Sequence, residues 1–198
     1  QALLARYQIV TQYGNDASGF SATLFRRRDP VDARGVPLEG ANPDPYVLVF
    51  RGNDHEPDRV TGVAKDGGLA ALREINRHGF AWAQLDAMER FWAGLSRGQV
   101  LTRAGEWVTL AGGAAAIQGG LTMLGSSVGA HLASAFTLLH GDRVARGVGI
   151  DGPGLGGMQD GSPDGRAIRA DELRGRLQDF IREHHGDRLL EVGAARVA

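Results

Sequence analysis

Apolar and polar positions divide this chain into segments of two periods. GFSATLFRRRD at 19–29 alternates in part and holds β-formers, which predicts a strand. The Pro-, Gly- and Asp-rich stretch 29–45 predicts a loop. YVLVFRG at 46–52 is a short continuous apolar run closed by Gly52, the pattern of a central strand buried on both faces. The polar, irregular residues 53–66 predict a loop or a flap. From Gly68 to Leu95 the period becomes helical, with Trp82, Leu85, Met88, Trp92 and Leu95 at three- and four-residue spacing and a break near Arg77-His78-Gly79. The plain role of those aromatics is core packing. EWVTLAGG at 106–113 predicts a short strand or hairpin, and GLTMLG at 120–125 a short apolar strand. Residues 128–140 place Val128, Leu132, Ala135, Phe136 and Leu139 at helical spacing, with Gly141 as a terminator. ARGVGIDGPG at 145–154 reads as a strand entering a turn, and 154–165 as loop. The segment 170–185 puts Leu173, Leu177, Phe180 and Ile181 on one helical face, and DRLLEV at 187–192 begins a last strand.

Strands that alternate with helices predict an α/β domain with a mostly parallel sheet and helices on both faces, one domain over residues 1–198. That length is enough for a real core. No apolar run reaches the ~20 residues of a membrane span, which excludes a transmembrane reading. The net charge of −1 supplies no field for nucleic acid or an anionic lipid surface. The absence of cysteine rules out disulfides, thiolate metal sites and a cysteine nucleophile. The N-terminal run QALLARYQIV lacks a basic region followed by an apolar one, so no signal peptide is expected in it. A start at Gln rather than Met suggests a piece of a longer protein.

The chemistry concentrates at LTMLGSSVGAHLASAF, 121–136. Gly125-Ser126-Ser127-Val128-Gly129 fits G-x-S-x-G, the nucleophile elbow. A serine forced into a tight strand-to-helix turn needs small residues two before and two after it. The turn lifts the hydroxyl above the sheet at the start of the next helix, where the Val128 N–H and the helix end stabilise an oxyanion. The motif alone is weak, because a chain with 30 glycines produces such runs by chance. Its context here, an apolar strand before and a helix after, is the one the elbow requires. The alternative is a Gly-Ser turn that only packs a helix closely on a sheet. The order strand, loop, helices, strand, elbow, helix, strand is that of an α/β-hydrolase core.

With these residues in view, LTMLGSSVGAHLASAFTLLH resembles the signature of the class 3 lipases, in the form found in lipase-like domains of bacterial calcium-repeat (RTX) secreted proteins. FSATLFRRRD followed by YVLVFRGND is similar to the family's two strands ending in F-R-G-T, and FAWAQLDAMERFWAGL to the helix that follows. VGIDGPG stands where the family has F-N-A-P-G, so the resemblance spans most of residues 7–192. It implies Ser127 as nucleophile, Asn53 as an oxyanion donor where the family has Ser or Thr, and 53–66 as the lid or its hinge. A turn-capping role for Asn53 stands beside that. Ser126 replaces the family's His and Ala130 a Gly, neither chemically required. The acid implied is Asp187 in Gly186-Asp187, with Asp151 at the end of GVGID as the alternative.

A serine needs an imidazole to activate it, and the order in this fold is Ser, acid, His. No histidine follows Asp187 in this chain. His131 matches a family packing residue, His140 lies at the far end of the same helix, His55 in the flap and His78 between two helices. His184 is taken as the base beside Ser127 and Asp187, although His184 and His185 fit the chain order only with Asp151 as acid. The simplest account is that the domain continues past Ala198 and the base lies there, leaving the fold incomplete at its C-terminus. The expected activity is a serine esterase or lipase on an ester or lipid substrate, without cofactor, in a secreted bacterial protein. The alternative is a catalytically silent lipase-like module of a larger one. Calcium enters only through the family's repeat domains; Asp151, Asp160 and Asp164 among glycines match no defined calcium loop, and solvated turns are the simpler reading. GLGGMQDG does not sit between a strand and a helix as a dinucleotide site requires.

Overall fold

The computed structural model describes residues 5–14, 16–28, 45–52, 67–102, 105–117, 120–155 and 170–185. Along the chain these form β1 (Tyr7–Tyr13), β2 (Ala22–Arg27), β3 (Tyr46–Phe50), α1 (Gly67–His78), α2 (Trp82–Leu95), β4 (Gln99–Leu101), β5 (Trp107–Thr109), β6 (Leu121–Ser126), α3 (Val128–Leu139), β7 (Val144–Ile150) and α4 (Ala170–His185). The region 53–66 and the last strand expected at 187–192 lie outside the described residues.

Five strands make one sheet in the order β1-β2-β3-β6-β7, and β4 pairs with β5 in a separate hairpin. β1–β2 and β2–β3 are antiparallel, whereas β3–β6 and β6–β7 are parallel. The fold is therefore mixed α/β. Two of the four pairings in this sheet are parallel, those that join β3, β6 and β7 across helical crossovers, and the antiparallel pairings of β1 and β2 are the part that the expectation of a mostly parallel sheet did not include.

Register explains the core. Ala22 faces Phe50 and Leu24 faces Leu48 across one pair; Leu48 faces Met123 and Phe50 faces Gly125 across the next. With period two, these residues share one face of the sheet, and all but the glycine belong to the buried hydrophobic core. The helices α2 and α3 cover that face. Phe136 of α3 meets Phe50 at 6.0 Å and Trp92 of α2 at 5.0 Å, and Phe91 of α2 meets Phe20 at 6.1 Å. Each such buried ring contributes about 1.5–3 kcal/mol of transfer free energy. α1 packs on α2 and α3, and α4 on α3, so the described helices gather on this side. On the other face Thr23, Phe25, Val47, Val49, Thr122 and Leu124 are half-buried. Helices on both faces, as expected for β3, are not found among the described residues.

The helical break falls where the sequence places it. Gly79 at φ 79° ends α1, and its N–H donates to the Ile75 carbonyl. Two strands escaped the sequence reading. The alternation of β1 is broken by a bulge between Ile9 and Thr11, and β4 is only three residues long. The Thr11 hydroxyl donates to the Leu101 carbonyl and ties the hairpin to the sheet.

Candidate active site

Parallel strands β3, β6 and β7 end at one edge of the sheet, and Ser127 stands there between β6 and α3. Its backbone lies at φ 54°, ψ −124°, a region that non-glycine residues rarely enter. Three features impose this conformation. The Ser127 N–H continues the β6–β7 ladder by donating to the Ile150 carbonyl at 2.8 Å. Its carbonyl already belongs to the helix, accepting from the N–H groups of Ala130 at 2.9 Å and His131 at 3.2 Å. Between strand bond and helix bond a single residue must reverse the chain. The flanking glycines make the reversal possible. A Cβ on Gly125 would overlap the Gly129 carbonyl, and a Cβ on Gly129 would overlap the Phe50 carbonyl at the end of β3. The elbow read from G-x-S-x-G is therefore required sterically at both glycines.

Gly52 closes the site on the β3 side. A Cβ there would sit 2.7 Å from the Ser126 carbonyl oxygen and 3.4 Å from the Ser127 Cβ. The loop that leaves β3 thus begins against the serine; Asn53, its next residue, lies outside the described residues. The N–H groups of Val128 and Gly129 head α3 and have no partner among the described residues. Such N–H groups, with the positive end of the helix dipole, suit a developing oxyanion. The Val128 side chain is buried with Ala71, Ile75 and Ala81, which fixes the start of α3 against α1 and α2.

The described histidines do not supply a base. His131, one turn into α3, is fully buried. Its Nδ1 lies 2.5 Å from the Gly154 carbonyl oxygen, and its Nε2 lies 3.2 Å from the Ala81 amide nitrogen. A carbonyl only accepts and an amide N–H only donates, so the proton is on Nδ1, Nε2 is bare and the ring is neutral. Burial holds its pKa below the ordinary 6.5, against the opposing hydrogen bond to Gly154. It is a strut joining α3 to the start of α2 and to the loop after β7. His140 bonds both carboxylate oxygens of buried Glu89, at 2.9 and 3.0 Å, and packs on Trp92 and Phe136. It stands 13 residues beyond Ser127, roughly 20 Å down the helix axis, far outside hydrogen-bond reach. His78 is exposed at the end of α1. His184 and His185 form the end of α4, and their side chains are outside the description, as are His55 and Asp187. α4 is anchored there by Phe180, stacked on Trp82 at 4.3 Å.

Asp151 is the alternative acid, and its backbone lies within the described residues. It follows β7 directly, is exposed and has φ 51°. Sequence reasoning missed the Ile150 and Gly154 carbonyls and the Ala81 N–H, which lock this edge together; backbone groups carry no residue signature. Among the described residues no group of three His, Asp or Glu side chains is placed to hold a metal ion. No described helix is long and apolar enough to cross a membrane.

The His131 strut makes a pH prediction. Its folded pKa lies below the unfolded value, so the unfolded chain binds more protons between the two. Stability from the neutral ring is then complete above about pH 6.5 and is lost as pH falls through the folded pKa. Thermal unfolding followed from pH 8 to 5 should show a steeper fall in Tm below about 6.5 for the wild type than for His131→Gln; parallel curves would contradict the assignment.

No protein-family model, curated protein or solved structure matches the chain, so its functional reading rests on this geometry.

Proposed function

We propose that this chain is a serine ester hydrolase of the class 3 lipase type, working through an acyl-enzyme on Ser127. The observation that carries the reading is the Ser127 backbone at φ 54°, ψ −124° at the head of α3, held between two glycines that tolerate no side chain. Such a strained turn is costly and is kept where the strain serves chemistry. In the reaction Ser127 Oγ attacks the ester carbonyl carbon, and its proton passes to a histidine. The oxyanion rests on the Val128 N–H, with Asn53 as second donor. The histidine returns the proton to the leaving alcohol as the C–O bond breaks. Water then repeats the sequence, releasing the carboxylic acid and restoring the serine. His184 is the base proposed from the sequence, with the acid either Asp187, from the resemblance, or Asp151. The substrate class is an ester or lipid, and the resemblance favours a bacterial secreted protein.

A second reading, a catalytically silent lipase-like module, is favoured by one observation. His131 has both ring nitrogens engaged, and His140 is committed to Glu89. Hydrolysis of p-nitrophenyl esters from acetate to octanoate, with Ser127→Ala beside the wild type, separates the two. The first reading predicts turnover that falls about 10³-fold or more in the variant. Equal rates for both proteins would leave the silent module.

A further inference from the structure

The face of the sheet turned away from the helices carries a pattern that the net charge conceals. Ile9, Phe25, Val47, Thr122 and Arg146 are consecutive partners across all five strands, so their side chains form one row on that face. Val49, Leu124 and Val148 form the next row. Tyr7 stands opposite Arg27 at the end of the sheet away from Ser127. At the two extremes of the face Ile9 is 44% and Ile150 51% exposed. Among the described residues no helix packs on this side.

The five strands hold no Asp, Glu or Lys; their charged residues are Arg26, Arg27 and Arg146. Arg6 precedes β1 and Arg28 follows β2, and the Arg28 N–H donates to the Arg6 carbonyl at 2.8 Å. Arg6, Arg26, Arg27 and Arg28 therefore converge at the end of the sheet away from Ser127. All four are exposed, and none makes an ion pair with a described residue. Acids that balance the total are engaged elsewhere: Asp86 with Arg90, Glu89 with His140, Asp142 with Arg143 and Asp179 with Arg182. Attraction through solution decays over about 8 Å at physiological salt, so a surface meets this corner and not the chain's sum of −1.

From this juxtaposition of an apolar sheet face, bare of described helices, with a corner of four arginines, we infer that the protein docks on an anionic lipid surface through this face. The chemistry suits that occupant twice over. Guanidinium groups bond phosphate and carboxylate headgroups in bidentate fashion. Ile9 stands beside them, with Tyr7 and Phe25 edge to face at 6.4 Å, and such side chains enter the boundary between headgroups and acyl chains. Clusters of about four to eight basic residues are what hold a protein on phosphatidylserine-type membranes. A single-stranded nucleic acid needs rings on which successive bases stack, whereas the rows here are mainly branched aliphatics. Ser127 lies at the opposite end of the sheet, so the docking stands whether or not the serine reacts.

The test is co-sedimentation of the 198-residue chain with lipid vesicles. Vesicles of phosphatidylserine mixed with phosphatidylcholine should carry the protein down at about 0.1 M salt and release it near 1 M, where the Debye length is about 3 Å. Pure phosphatidylcholine should bind about 10²-fold more weakly. Each arginine near an anionic surface raises affinity about fivefold, so Arg26→Ala/Arg27→Ala/Arg28→Ala should lose about 10²-fold on the mixed vesicles. The three side chains are exposed, and circular dichroism checks that the variant folds. Lysine at the same three positions should restore most of the binding. Ile9→Ser should lose about tenfold on the same vesicles. Arg73→Ala/Arg77→Ala, exposed on α1 at the helix side of the sheet, is the control and should bind as the wild type. Equal binding to both vesicle types, no binding to either, or full binding by the triple alanine variant would overturn the inference. So would a dimer in sedimentation velocity that Ile9→Ser dissociates, which assigns the face to a second copy. Capture of single-stranded RNA in preference to the mixed vesicles would assign the corner to nucleic acid and overturn it too.

Discussion

Gly129→Ala should cost the site its reactivity and the protein part of its stability at once. The added Cβ would overlap the carbonyl of Phe50 and press on the carbonyl carbon of Arg51, which are backbone atoms at the end of a central strand. Neither can rotate away as a flexible side chain would. The first turn of α3 must move back from β3, and with it the Ser127 turn and the Gly52 contact. Overpacking of this kind costs about 1–3 kcal/mol. Displacing a reacting group by an ångström costs roughly 10²-fold in rate. Chemical denaturation and fluorophosphonate labelling, run side by side, should show both losses. Gly175→Ala is the control: its Cβ enters open space on α4, and the change should be neutral or slightly stabilising. Unchanged labelling in Gly129→Ala would mean that the elbow is not held as described.

Ser127→Gly should do the opposite to stability while also abolishing reaction. A non-glycine residue in so sparsely populated a region costs about 1–3 kcal/mol, which glycine does not pay. Part of the gain is offset by the greater freedom of glycine in the unfolded chain, about 0.5–1 kcal/mol. The Ser127 hydroxyl has no hydrogen-bond partner among the described residues, so its removal leaves nothing unsatisfied there. A net gain of about 1 kcal/mol, a rise of roughly 2–4 °C in Tm for a domain of this size, is expected together with complete loss of labelling. A stabilised but inert protein is the signature of strain kept for function. A Tm equal to or below that of the wild type would show that the turn stores no strain.

The elbow could be read in the sequence because its reason is steric and local. Two glycines, a serine, an apolar strand before and a helical period after are all that the turn requires, and all lie within 121–136. The helices α1, α2 and α4 could be read because their apolar positions recur at helical spacing. β1 could not, since a bulge breaks its alternation, nor could the three-residue β4. The antiparallel half of the sheet also escaped, because strand direction depends on how loops return the chain and not on the strands themselves. The partners of the site were hidden for a related reason. His131 reaches a backbone amide 50 residues away, and His140 a carboxylate 51 residues away. Counting histidines gives no distance, so the sequence alone could propose a base but could not show that His131 and His140 are already engaged.

The central claim is that Ser127 is a nucleophile, and the most direct measurement is to find the atom that reacts. The chain is treated with a fluorophosphonate probe, digested, and the modified peptide identified by mass spectrometry, with Ser127→Ala in parallel. The account predicts a single phosphonylated site at Ser127 and none in the variant. Modification of another residue, or none under conditions where the folded wild type is intact, would contradict it.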